Sequence, residues 1–149
     1  MAQRPTDMDD LLAKPVFARV ATTNKDGSPH CVPLLHGFNP SDGTFDISTG
    51  VDSLTVRNLR RNPAIAVLVD DGPPNRGILA VGVAEVSGPM GKDHEYFTPL
   101  LVRYVGEGMV EKVLQGPTGQ KERVRIKARP KRWKFWDTGR GKMGSVNLD

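Results

Sequence analysis

The 149-residue sequence has a single cysteine, few aromatic residues and no long apolar run. One cysteine makes no internal disulfide, which excludes a disulfide-stapled secreted scaffold. Cys31 sits in an apolar run, where a small buried thiol is the expectation. No stretch approaches the roughly 20 apolar residues of a membrane helix. The opening residues, MAQRPTDMDDLLAK, are acidic and lack the apolar core of a signal peptide. A cytoplasmic location without membrane contact follows as the expectation. The three histidines (His30, His36, His94) lack metal-ligand spacing, so no metal site is expected. There is no P-loop, no G-x-S-x-G elbow and no G-x-G-x-x-G after a strand.

What is present is enough chain for one domain, here taken as residues 1–149, since domains typically hold about 100–200 residues. The net charge of +4 conceals a division. Between Gln120 and Lys142 ten basic residues face only two acids, Glu122 and Asp137, and the remainder is net acidic. A blocked pattern of this kind suggests an anionic partner, either nucleic acid or a phosphorylated small molecule. A solvated strand face with Lys and Arg outward is the plainer alternative.

The chain reads mainly as strands with helical inserts. Thr6 or Asp7 is expected to cap a short helix anchored by Leu11 and Leu12 and ended by Pro15. Residues 16–23 read as a strand, Asn24–Gly27 as a turn, and 29–38 as a return strand. Pro33 inside that strand implies an edge or an unpaired position. A second turn at 39–43 leads to a strand over 44–49, completing a three-stranded meander. Residues 53–61 read as a helix with Asp52 or Ser53 as N-cap, apolar at Val56 and Leu59 with Leu54 near the same face, and stopped by Pro63. The run AIAVLV over 64–69 reads as a fully buried strand. A loop over 70–76 precedes a strand over 77–88, with Gly82 marking a bulge. Residues 92–114 have helical period, with Asp93 as cap and Gly106 and Gly108 splitting two helices; Phe97, Leu100, Leu101 and Tyr104 form the apolar face. From Gln120, basic and apolar residues alternate, predicting one basic face; Pro130 interrupts the strand pair. At least six strands with short helices suggest a small β-barrel.

The segment DISTGVDSLTVRNLRRNPAIAVL over 46–68 concentrates the chemistry. Ser48 and Thr49 end a strand, and a Gly50 turn feeds a helix start at Asp52–Ser53. Hydroxyls and free N–H groups converge where a helix dipole favours an anion, and Arg57 is placed to reach back to it. The same residues also make an ordinary capped helix with exposed arginines. His30 and His36 are expected on one strand face at the surface or barrel mouth. Cys31 then points the other way, which argues against a Cys–His nucleophile.

Three stretches resemble the pyridoxamine 5'-phosphate oxidase-like flavin-binding split β-barrels. They are ARVATTNKDGSPHCVPLLHGF, STGVDSLTVRNLRRNPAIAVLV and RPKRWKFWDTGRGK, which span most of the chain in the family's order. The resemblance implies a mainly β split barrel of the FMN-binding type, acting as a homodimeric oxidoreductase on a small-molecule substrate. It implies that Val32, Pro33 and Leu34 flank the isoalloxazine. It places Ser48, Thr49, Ser53, Thr55, Arg57 and Asn58 at the ribityl phosphate end, with Trp136 and Arg140 arriving from the second subunit. His36 is the candidate proton donor if it faces the ring. The family's Ser-Arg-Lys phosphate motif reads Ser53–Leu54–Thr55 here, so two cations are missing. Each lost charge-assisted bond weakens binding by roughly 1.5–3 kcal/mol. The R-L-H-D-R substrate motif of true pyridoxamine phosphate oxidases is absent, which argues against that vitamin as substrate. A deazaflavin coenzyme of the F-420 type is the alternative cofactor, with the basic 121–129 strand suited to its polyanionic tail. A barrel binding cofactor or nucleic acid without turnover is the remaining alternative. Nucleic acid is disfavoured because the acidic remainder repels a long duplex.

Overall fold

A computed structural model of the chain describes residues 3–148. In chain order the elements are α1 (Asp9–Leu12), β1 (Ala18–Thr23), β2 (Pro29–Leu34), β3 (His36–Asn39), β4 (Thr44–Gly50), α2 (Leu54–Arg61) and β5 (Ala64–Asp71). Then follow β6 (Arg76–Val86), α3 (His94–Val105), α4 (Glu107–Gln115), α5 (Pro117–Gln120), β7 (Arg123–Asp137) and β8 (Lys142–Asn147). The strands form one sheet in the order β2-β1-β5-β6-β7-β4-β3, with β8 added to β7, and every pairing is antiparallel. The sheet curls into a half-barrel. Ile47, Val67, Ile78, Ile126 and Trp133 line its concave side, and Leu11 and Leu12 of α1 belong to the same core.

Two hairpins replace the expected meander. β1 pairs with β2 and β3 with β4, while β2 and β3 sit at opposite edges of the sheet. The break falls at Leu35, between the strands. Pro33 lies on the β2 edge, where a residue that cannot donate is tolerated. Cys31 also faces outward on β2 and is exposed, contrary to the expected buried thiol.

The predicted bulge is present: the β6–β7 register shifts between Val81 and Gly82. A Cβ at Gly82 would strike the Arg129 carbonyl oxygen. Pro130 sits opposite Gly82, so β7 runs through it as a single 15-residue strand rather than breaking. The polar tail is held as β8. Ser53 caps α2 by accepting from the Val56 N–H at 3.2 Å, but neither Thr6, Asp7 nor Asp93 makes a side-chain cap. Asp93 takes a left-handed conformation, φ 47°, and turns its carboxylate to Arg125 instead. Leu54 points away from the buried Val56–Leu59 face and is 39% exposed. Gly106 divides α3 from α4, whereas Gly108 lies inside α4.

β5 departs from its expected full burial. Ile65, Val67 and Val69 are buried, but Ala64, Ala66 and Leu68 alternate with them on the convex face. Their neighbours across the ladder are Arg19, Ala21, Leu79, Val81 and Val83. The chain covers only one side of this part of the sheet.

Candidate functional site at the β4–α2 turn

β4 delivers Ser48 and Thr49, both buried, to the turn that starts α2. Two backbone bonds close the turn: Val51 N–H to the Glu122 carbonyl (3.0 Å) and Ser53 N–H to the Gly50 carbonyl (3.1 Å). Ser53 Oγ accepts from Val56 N–H, which leaves its own proton to donate. The next two helical N–H groups, of Leu54 and Thr55, have no acceptor among the described residues. Arg57 is exposed on α2, and its guanidinium has no partner among the described residues. The turn therefore presents a hydroxyl, two amides and a nearby free cation, a donor set that fits a phosphate. Asp52 is the opposing charge, with its carboxylate beside Gly50 and the Lys121 side chain.

Thr55 and Asn58 face inward. Asn58 is fully buried, and its amide nitrogen donates to Thr22 Oγ1 at 3.0 Å and Asn24 Oδ1 at 2.9 Å. Arg61 donates to Asn58 Oδ1 at 3.3 Å. Asn58 thus rivets α2 to the β1–β2 hairpin; its hydrogen-bonding groups are spent there.

Val32 and Leu34 turn their side chains toward the sheet interior and Pro33 turns outward. As an edge strand, β2 leaves one row of backbone groups free of ladder bonds. Trp136 and Arg140 lie elsewhere. Trp136 stacks over Gly77, and its Nε1–H donates to Asn75 Oδ1 at 3.0 Å. Arg140 sits in the β7–β8 turn, 3.5 Å from the Asp137 carboxylate. Trp136 stands 13 residues along β7 from Arg123, the residue paired with Gly50. One chain therefore does not bring Trp136 and Arg140 to the β4–α2 turn.

His36 is not the expected surface histidine. It starts β3, not the strand of His30, and is fully buried beside Phe45 and Tyr104. Neither ring nitrogen has a partner among the described residues. Burial, with the Arg103 guanidinium adding to it, pushes its pKa down to about 4. A neutral ring in the core is no proton donor for a bound ligand.

The basic face of β7 is also not free. Arg125 pairs with Asp93, Lys127 with Asp46 at 3.2 Å and Arg129 with Glu85 at 2.8 Å. Arg123, which alternation alone placed at the surface, is 4% exposed beneath α3 and α5. Its Nε donates to Ser48 Oγ (2.8 Å), its Nη2 to the Ser48 carbonyl (3.0 Å) and its Nη1 to the Thr118 carbonyl (3.0 Å). Sequence period marked the residue as basic and outward; only the helical insert packed on that face reveals it as buried.

Among the described residues no cluster of His, Cys, Asp or Glu has the makings of a metal site, and no helix is long and apolar enough to cross a membrane. No curated protein matches the sequence. Among solved structures, a conserved hypothetical protein of Mycobacterium tuberculosis is 25% identical, with a TM-score of 0.71 over 91% of this chain and 85% of that one. An F420 reductase is also 25% identical, with a TM-score of 0.71 over 87% of this chain and 98% of its own. A Clostridium acetobutylicum protein of the pyridoxinephosphate oxidase family, related to general stress protein 26, shares the fold at 15% identity, with a TM-score of 0.69 over 96% and 93% of the two chains. The family model described as pyridoxamine 5'-phosphate oxidase matches residues 5–137. With the curled antiparallel sheet and the β4–turn–α2 unit inside that span, the chain belongs to the pyridoxamine 5'-phosphate oxidase family.

Proposed function

We propose that the protein is a single-domain, flavin- or deazaflavin-dependent oxidoreductase that acts as a homodimer on a small-molecule substrate. The observation that carries this reading is the β4–α2 turn. Inside a family-matched segment it presents the Ser53 hydroxyl and the unpartnered Leu54 and Thr55 N–H groups to one point. Val32, Pro33 and Leu34 offer the free backbone edge of β2 to the ring. Ser48, Thr49, Ser53, Thr55 and Arg57 surround the phosphate end, and Asn58 acts by holding α2 in place. Trp136 and Arg140 reach the site of the second subunit. The convex apolar face supports that pairing: Ala21, Ala64, Ala66 and Val81 border a shallow groove of about 220 Å³ that the single chain leaves open.

When bound, FMN or a deazaflavin supplies the hydride chemistry. The chain's own work is to bind the phosphate, orient the ring against β2 and exclude water through the second subunit. No side chain is assigned as acid or base, since His36 is buried and held neutral. The similarity to an F420 reductase favours a deazaflavin as the second reading. The cations free to meet a polyanionic tail are then Lys131, Arg132 and Lys134, because Arg125, Lys127 and Arg129 are already paired. The absorbance spectrum of the purified protein, followed by titration with FMN and with an F-420-type deazaflavin, tests the reading. One site per subunit is expected. No binding of either at tens of micromolar would overturn it.

A further inference from the structure

Arg123 differs from every other cation on its face of β7. Arg125, Lys127 and Arg129 each have a carboxylate partner. Arg123 is the most buried of the four and has none within ion-pair distance among the described residues. The nearby acid, Asp93, is engaged by Arg125 through two bonds of 2.7 Å. Arg123 instead stacks on the Phe97 ring at 3.6 Å and spends its donors on neutral oxygens. A buried charge without a counter-ion is costly, and burial pushes the Arg123 pKa down. Such a charge is retained most readily where an anion comes and goes.

Its place in the fold is specific. Arg123 is the ladder partner of Gly50, so it lies directly behind the end of β4. Because Ser48 Oγ accepts from Arg123, the Ser48 proton is left to donate elsewhere. In front of the same turn stand the free N–H groups of Leu54 and Thr55, at the two positions where the family motif carries cations. The charge absent at positions 54 and 55 is present on β7, the strand paired with β4.

We propose that Arg123 is a positioning residue for the cofactor phosphate: it fixes Ser48 as a donor and supplies, from behind the turn, the positive charge missing at positions 54 and 55. This rests on the reading of the turn as a cofactor-phosphate site. The exposed Arg57 and Lys121 add a weaker, salt-sensitive contribution.

FMN and riboflavin share ring and ribityl chain and differ by the phosphate, so their affinity ratio isolates this role from general stability. The wild-type protein binds FMN more tightly than riboflavin. Arg123→Gln lowers that preference about tenfold and leaves riboflavin binding unchanged, whereas Arg123→Lys, which keeps the charge, retains most of it. Equal losses for both ligands mean a structural role and overturn the proposal, as does a wild type that binds the two equally. Where Arg123→Gln does not fold, the double variant Arg57→Gln/Lys121→Gln decides, because it changes only exposed side chains. Its FMN preference falls by the small contribution of those two exposed cations, and most of it remains, including in about 0.5 M NaCl, since a buried charge is little screened. A fall to the riboflavin level in that variant overturns the proposal. A wild type that binds neither flavin removes the cofactor reading alone, and inorganic pyrophosphate then serves as the probe. A pyrophosphate-induced rise in Tm that Arg123→Lys keeps supports Arg123; no rise in the wild type overturns it.

Discussion

The two halves of β7 carry similar charge and treat it oppositely. From Arg123 to Arg129 the cations run from beneath the α3–α5 insert out to solvent, and each is either paired with a carboxylate or buried against neutral oxygens. From Lys131 to Trp136 the strand has crossed the bulge, and its cations have no ion-pair partner among the described residues. Arg132 and Lys134 lie beside Val81 and Leu79, on the convex apolar face. The contrast shows that a run of basic residues is not yet a basic surface. Formal charge is spread along the whole strand, but the part of it available to a partner is confined to the second half.

The largest test of the contrast is to remove one arginine from each half. Arg123→Met strips the hydrogen bonds from the Ser48 hydroxyl and carbonyl, which stay buried, and one from the carbonyl of the exposed Thr118. We expect a loss of about 3 kcal/mol in urea unfolding, the cost of leaving buried acceptors without their donors. Arg132→Met removes an exposed side chain with no partner, and the expected change is within about 0.5 kcal/mol. Equal losses would erase the distinction between the halves.

Much of this was legible in residues with a stereochemical reason to be where they are. Gly82 with Pro130 made the bulge, Ser53 made the cap, and Pro33 marked an edge strand. What was illegible depended on residues distant in sequence. Alternation places Arg123 and Arg129 on the same face, but only the insert packed over that face makes one buried and the other exposed. Asp93 had the sequence position of a cap, yet the Arg125 guanidinium offered its carboxylate a stronger partner than a backbone N–H. His30 and His36 were expected on one strand face because the break at Leu35 carries no turn residue. The β4–α2 turn was found from its own six residues; its supporting cation, more than 70 residues away in the chain, was not.

His36 sharpens the comparison, because it is buried with neither charge nor partner. Its pKa in the folded protein is about 4, against about 6.5 for an unfolded histidine. Between those values the unfolded chain holds a proton that the folded chain refuses. The contribution is fully present above pH 6.5 and is lost as the pH falls toward 4. The expected loss is on the order of 3 kcal/mol across that window. His36→Phe should flatten the slope of unfolding free energy against pH there. An unchanged slope would mean that the ring accepts its proton inside the fold.

The smallest effects separate pairs within the first half of β7 itself. Asp93 and Arg125 make two bonds of 2.7 Å, with the Asp93 side chain only 3% exposed. The guanidinium holds the Asp93 carboxyl below its usual range. Asp93→Asn leaves Arg125 half-buried with one acceptor fewer, and the expected cost is about 1 kcal/mol. Glu85 and Arg129 also form a short pair, but both ends are in solvent, so holding two long side chains still offsets the attraction. Glu85→Gln should leave the denaturation midpoint unmoved at any ionic strength, while the Asp93→Asn shift should persist in high salt, where exposed pairs are screened. If the two substitutions respond alike, cover by the α3–α5 insert is not what sets the strength of these pairs. The gradient from Arg123 to Arg129 would then be one of geometry alone.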